Sequence, residues 1–478
     1  MLTISVAARE WAVQHSDQKN ARRADRADVS GKYPAGAAPH PARRTTGRRR
    51  KNRARLHSGA QIGHDLDRRP PPRGVGTGQP TVACRRSMKG PGMETIVYSN
   101  LRDIDGRGIG IRCRGPRIEA VSPGLTAPDA VDCGGRLVLP AFVEPHVHLD
   151  KTLWGEDWVP GPRAATLRDY IENERRVLAA NTTPPEVRAG RLLSEMLRHG
   201  TTAVRSHVDV APDIGLAHVD AMLRLREAWA ERVDLQFVAF PQQGLLSRPG
   251  TADLMREAIA LGVETVGGLD PAGIDGDPEG QLRFIFDLAT TTGAGIDIHL
   301  HDPGDLGAWQ VERIADHTDA SGLAGRVMIS HAYCLGMIPM DRLERIGRRL
   351  ADLRISLMTS APAETAVPPV AELVDLGVTV CCGSDGIRDA WSPFGTGDML
   401  ERAFLTAYRF DWNTDDDFRR ALDCATGAAA RAIGIADHGL RPGARADFVM
   451  IDAETAGDAV CRRPAGRRVV RRGKLVTG

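Results

Sequence analysis

Along residues 137–434, short apolar runs alternate with longer stretches whose apolar positions recur every three or four residues. The short runs predict strands and the longer ones predict amphipathic helices packed by one face. Eight strands are expected, at Leu137–Val147, Ala203–Val208, Leu235–Phe240, Thr265–Leu269, Gly295–Leu300, Val327–Tyr333, Ile355–Thr359 and Val378–Gly383. Helical stretches such as EVRAGRLLSEMLRHG, GLAHVDAMLRLREAWAER and GQLRFIFDLATTTG separate them. Gly200, Gly262, Gly293 and Gly377 fall where helices should end before the next strand. This alternation predicts an α/β protein of the (β/α)8 TIM-barrel class. A doubly wound open sheet would prefer a glycine-rich fingerprint after its first strand, and none follows it.

A different texture flanks the alternating region. ETIVYSN, GIGIRC and RIEAVSPG on one side, and ADFVMIDA, GRRVVRRG and KLVTG on the other, are short alternating runs. They predict a small β-sandwich domain built from both ends of the catalytic region, 93–136 and 435–478, around a barrel at 137–434. Within the preceding segment 1–92, residues 14–92 lack hydrophobic periodicity and carry Arg48-Arg49-Arg50-Lys51 and Pro70-Pro71-Pro72. Such a segment cannot bury enough apolar surface to offset its ordering entropy. It is expected to be a disordered basic arm, or an extension created by a mis-assigned start with translation beginning at Met88 or Met93. Its two aromatic residues, Trp11 and Tyr33, do not interleave with the basic residues for base stacking.

Charge sharpens this division. The 478 residues sum to +2, but residues 1–92 hold 20 Lys/Arg against 6 Asp/Glu, and 93–478 hold 43 against 55. The acidic body argues against nucleic acid as its partner. No apolar stretch approaches a membrane span, and the start is too interrupted by Arg9 and Glu10 for a secretory signal. The eight cysteines include no C-x-x-C, which points to free thiols in a cytoplasmic protein.

In a barrel of this class, chemistry gathers at the C-terminal ends of the strands. Those ends read PHVHLDK, RSHVD, FPQQG, LDP, HLHD, SHAYC and GSDGIRD. Six of the 14 histidines lie there: His146, His148, His207, His299, His301 and His331. Residues two apart on a strand face the same way, so His146 and His148 can chelate one cation. Imidazole and carboxylate donors without thiolate suit zinc or ferrous iron. His199, His218 and His317 fall in helical stretches and are expected at surface or capping positions. Lys151 is read either as catalytic or as a surface partner of Glu156 or Asp157. Trp154, Trp158 and Trp391 follow strand ends and either wall a pocket or pack as ordinary loop residues.

PAFVEPHVHLDK, HGTTAVRSHVD, VAFPQQG, IDIHLHD, ISHAYCL and GSDGIRDAWSPFG together resemble the amidohydrolase superfamily. Within it they resemble the bacterial cytosine deaminase and isopropylammelide amidohydrolase branch, over nearly all of 94–478. The resemblance implies one divalent metal ion per subunit, Zn2+ or Fe2+, held by His146, His148, His299 and Asp385. It implies catalytic roles for Asp302, His331, Asp385 and Lys151, and substrate contacts from Gln242, Lys151, His331 and Trp391. The fourth strand, TVGGLD, carries no lysine to bridge a second metal. Asp302 stands where cytosine deaminases place a glutamate proton shuttle, and Gly386 where they place a second aspartate. Lys151 resembles the triazine-processing relatives. The function implied is hydrolytic release of ammonia or an amine from a small nitrogen heterocycle, cytosine-, creatinine- or triazine-like, by metal-bound hydroxide. Alternatives are a cyclic-amide hydrolase of the hydantoinase or dihydroorotase type and a degenerate, non-catalytic barrel. A homo-oligomer without a membrane or nucleic-acid partner is expected. A cytidine-deaminase-type zinc site is excluded, because no H-x-E with P-C-x-x-C occurs.

Overall fold

The computed structural model describes residues 94–162 and 166–477. The basic arm at 1–92, with Cys84 and four of the histidines, lies outside the described residues. The chain opens with four strands: β1 (Thr95–Arg102), β2 (Gly108–Arg114), β3 (Arg117–Ser122) and β4 (Val131–Pro140). Eight more follow: β5 (Phe142–Val147), β6 (Thr201–Asp209), β7 (Asp234–Phe240), β8 (Thr265–Leu269), β9 (Gly295–Leu300), β10 (Val327–His331), β11 (Ser356–Thr359) and β12 (Val380–Cys382). These eight pair in sequential order, every pair parallel. Parallel neighbours need a long crossover, and the predicted helices supply it. The result is the expected α/β barrel, nearly closed.

Three last strands, β13 (Phe448–Ile451), β14 (Arg468–Arg471) and β15 (Lys474–Thr477), return to β1–β4. Together they form one seven-stranded sheet in the order β15-β14-β13-β4-β1-β2-β3. Tyr98, Ile111, Ile118, Val138, Phe448 and Val470, from both ends of the region, share its core. The Tyr98 and Phe448 rings meet edge to face at 5.2 Å.

The run Leu137–Val147 is two strands rather than one. Leu137 to Pro140 pair with β13, and β5 begins at Phe142. Pro140 has no N–H to extend the ladder, and the Ala141 N–H turns to Asp447 O at 3.2 Å. Both halves are buried, so hydropathy alone could not tell which sheet each half joins.

Helix packing follows the predicted faces. The helix Pro185–Arg198 buries Ala189, Leu192, Leu193, Met196 and Leu197. Each fully buried leucine contributes about 2 kcal/mol. His199 caps its C-terminus, and Gly200 follows with φ of 103°. A Cβ there would lie 2.8 Å from Val449 Cγ2 of β13, so this turn sits tight against the seven-stranded sheet.

A buried ion pair also ties the two sheets' surroundings together. Arg467, just before β14, donates to both carboxylate oxygens of Asp398 at 2.6 Å and to His199 O at 2.8 Å. Asp398 in turn caps the helix Met399–Arg409. Removing one partner of a buried pair strands the other charge. Arg467→Ala is expected to lower the unfolding free energy by about 3–5 kcal/mol in urea titrations. A loss within experimental error would mean that water replaces the guanidinium.

Candidate active site

The barrel closes where β5 meets β12. The contact is one bridge, Val147 to Asp385, with the Asp385 N–H donating to His146 O at 3.0 Å. Inside this seam the buried Glu144 carboxylate accepts the N–H groups of His146 (3.1 Å) and Ser384 (3.0 Å). Burial pushes Glu144 up to about 7. The seam therefore sets the first-strand histidines beside the eighth-strand aspartate.

Asp385 Oδ1 lies 3.5 Å from His146 Nε2 and 3.3 Å from His148 Nε2. Asp385 Oδ2 lies 3.9 Å from His331 Nε2. His299 Nε2 faces His148 Nε2 at 3.4 Å. Two groups, His146–His148–His207–His299 and His146–His299–His331–Asp385, have donor atoms within 4.8 Å of one another. They share His146 and His299, so they describe one centre. Three residues at its rim are held in left-handed backbone: Asp270 (φ 33°), His331 (φ 72°) and Asp385 (φ 60°). Such positions cost roughly 1–3 kcal/mol each without glycine and persist only where the surrounding fold imposes them.

Burial lowers His148 to about 3 and His207 to about 4, and takes His299 and His331 well below the ordinary imidazole value. For Asp385 burial works upward, but the surrounding His331, His146 and His148 hold it well below the usual carboxylate range. His148, His207, His299 and His331 are thus neutral imidazoles beside one carboxylate. His146 Nε2 and His331 Nε2 are buried with no hydrogen-bond partner, a costly state for a polar atom unless a ligand takes the lone pair. These donors fit a divalent cation.

Beside this ring is a buried ionic cluster. Lys151 is only 2% exposed, so the expected surface pair with Glu156 or Asp157 is not formed. Glu156 pairs with Arg191 instead. Lys151 Nζ donates to Gln242 Oε1, and lies 3.2 Å from Asp209 Oδ1 and 3.6 Å from Glu174 Oε2. Gln242 Nε2 donates to Glu174 Oε1. Burial pushes Asp209 up to about 6 and raises Glu174 and Asp389. For Lys151 burial works downward and these carboxylates more than reverse it. Phe240 connects cluster and ring, stacking on His299 at 4.2 Å with Lys151 Nζ 5.4 Å from its centroid.

The other predicted residues separate. His331 joins the ring, its Nδ1 3.2 Å from the Tyr333 hydroxyl. Trp391 stacks on Tyr170 at 5.2 Å and packs beside Phe240 and Ile171. Asp302 is not brought into the ring. Its carboxylate accepts from Gly273 N–H at 3.0 Å and Gln310 Nε2 at 2.8 Å. His301 takes the rim position: its Nδ1 lies 2.8 Å from Asp270 Oδ2, and its ring stacks on His331 at 4.5 Å. Burial works to lower His301, and Asp270 outweighs it, so its pKa is raised. Gly386 has a local reason as well, since a Cβ there would fall 2.1 Å from Asp389 Oδ2.

Three participants escaped the sequence reading. His218 is not a surface residue; its Nδ1 pairs with the buried Asp150 at 2.8 Å. Glu174 lies in the charged run ENERR of the helix Leu167–Ala180, which reads as a solvated face. The available signal was its position three residues after Ile171, on the same buried face. Asp297 lies two residues before His299, on the inward face of β9, and is fully buried.

Residues 129–477 match the Amidohydrolase family. N-isopropylammelide isopropyl amidohydrolase of Pseudomonas sp. (strain ADP) is 32% identical over 370 residues, 75% of this chain and 90% of that protein. The structure of N-isopropylammelide isopropylaminohydrolase from Burkholderia multivorans ATCC 17616 is similar at 42% identity and a TM-score of 0.78, over 80% of this chain and 98% of that one. That of 5-methylcytosine deaminase from Klebsiella pneumoniae is similar at 30% identity and a TM-score of 0.71, with the same coverage. The barrel, the strand-end ring within it and a family match spanning both lead to one conclusion: this chain belongs to the amidohydrolase family.

Proposed function

We propose that the protein is a metal-dependent hydrolase releasing ammonia or an amine from a small nitrogen heterocycle of cytosine, creatinine or triazine type. The observation that carries this reading is the ring of His146, His148, His299 and Asp385, its three histidines buried and its Asp385 side chain 34% exposed. The relatives named for N-isopropylammelide and 5-methylcytosine support the substrate class. His146, His148, His299 and Asp385 would hold the cation. A bound zinc or ferrous ion would supply Lewis acidity and bring water's pKa toward neutrality.

The chain's own groups do the remaining work. Asp385, a low-pKa carboxylate at the mouth, orients the attacking water. His331, neutral and turned toward Asp385, takes part in removing its proton. An amine leaves poorly until it is protonated. His301, positioned by Asp270 with a raised pKa, is the best-placed acid for that step. Asp302 is engaged by Gly273 and Gln310 and serves instead to set the loop. Lys151 and Gln242 offer a donor and an amide edge to the polar rim of a flat ring, and Trp391 with Tyr170 offers an aromatic wall.

Two expectations follow. His146→Ala and Asp385→Ala should each lose bound metal, measured by elemental analysis, while circular dichroism keeps the native spectrum. Full metal stoichiometry in either variant would remove these ligands from the proposal. His301→Asn should cut turnover roughly 10²–10⁴-fold with metal retained, and Asp302→Asn should cut it less. The reverse ranking would return the acid role to Asp302. Turnover is to be found first by screening cytosine, isoguanine, creatinine and triazine derivatives for ammonia or amine release. Hydrolysis of hydantoin or dihydroorotate, with no amine released from any of these, would favour the cyclic-amide alternative.

A further inference from the structure

We propose that Ser330 and Asp297 are positioning residues that fix the ring orientation and tautomer of His146, and so set the cation affinity of the centre. This rests on the reading that His146 is a metal ligand.

His146 Nδ1 lies 2.9 Å from Ser330 Oγ, and Ser330 Oγ donates to Asp297 Oδ1 at 2.8 Å. All three side chains are fully buried, so no water competes for these bonds. A hydroxyl has one proton, and an ionised carboxylate can only accept. The Ser330 proton therefore goes to Asp297, and the Ser330 oxygen must accept from His146. That assigns the imidazole proton to Nδ1 and leaves the lone pair on Nε2. Nε2 is the nitrogen that faces Asp385 and has no hydrogen-bond partner. The opposite tautomer would set two acceptors, His146 Nδ1 and Asp297, against a single hydroxyl proton.

The carboxylate is itself anchored from below. Arg205 Nη1 lies 3.7 Å from Asp297 Oδ2, and His207 Nε2 lies 3.5 Å from Oδ1. Arg205 donates to Gln236 Oε1 at 3.0 and 3.2 Å, and Gln236 Nε2 donates to Ile433 O at 3.1 Å. The relay thus runs from a ligand on β5, through β10 and β9, to β6 and β7 at the base of the barrel. A partner on the non-ligating nitrogen of a metal-bound imidazole typically changes metal affinity 10–100-fold.

The test uses the whole protein, stripped of metal and reloaded at one fixed pH. Zinc affinity is measured by chelator competition and the visible spectrum is recorded with cobalt. Ser330→Ala should weaken zinc by about 10–100-fold and shift the cobalt bands, with the melting temperature of the metal-free protein retained. Ser330→Thr should restore both, since it returns the hydroxyl. Asp297→Asn added to Ser330→Ala should weaken zinc little further, because both act through the same bond. If the wild type takes up zinc but Ser330→Ala binds it equally well with an unchanged cobalt spectrum, the relay is overturned. Fully additive losses in the double variant would also overturn it. If the wild type takes up neither zinc nor cobalt, it is the metal reading that fails.

Discussion

Closure of the barrel between β5 and β12 is the constraint on which the site depends. β12 is three residues long and shares no ladder with β5. The gap is spanned by one backbone hydrogen bond from Asp385 to His146 and by the Glu144 carboxylate, which accepts from both sides. A longer ladder would have carried β12 past the rim and turned residue 385 into a strand position. Ending it early lets the chain turn through left-handed backbone at Asp385 and aim the carboxylate back across the ring. The same few bonds that complete the barrel therefore bring His146 and His148 at the end of its first strand beside Asp385 after its last.

A barrel core is ordinarily filled by branched apolar side chains. Here its interior holds His146, His148, His207, His299, His331, Asp297, Ser330 and Arg205, all buried. Burying these groups would be prohibitive if each were charged and unpaired. His148, His207, His299 and His331 avoid this by staying neutral, and Asp297 accepts from Ser330 and has Arg205 beside it. The Lys151 cluster follows a different rule, with one cation shared among carboxyls whose pKa values rise through burial. Apolar packing is displaced outward, to the interface between barrel and helices, where the largest core cluster lies.

The strands and the histidine positions were legible because both are local. Strand, helix and turn each leave a period of a few residues, and HVH at a strand end places two imidazoles on one face by spacing alone. Partners distant in sequence were not legible. Lys151 read equally well as a surface ion pair, because nothing near it in sequence shows that Asp209 and Glu174 surround it. His218 read as a helix-surface residue because its partner, Asp150, is on another element. Asp302 matched a motif by spacing, but its hydrogen bonds to Gly273 and Gln310, from two other elements, were not legible there.

The amino-acid sequence by itself determined the alternation of strands and helices, the module assembled from the two ends of the region, and the residue types available at the rim. Those follow from periodicity and side-chain chemistry, which each segment carries with it. The tertiary structure alone decided which of those residues meet, which carboxylate is held low or pushed up, and where Leu137–Val147 divides. Each of these depends on burial and on a hydrogen-bond partner supplied by a distant element, and neither is a property of the segment itself.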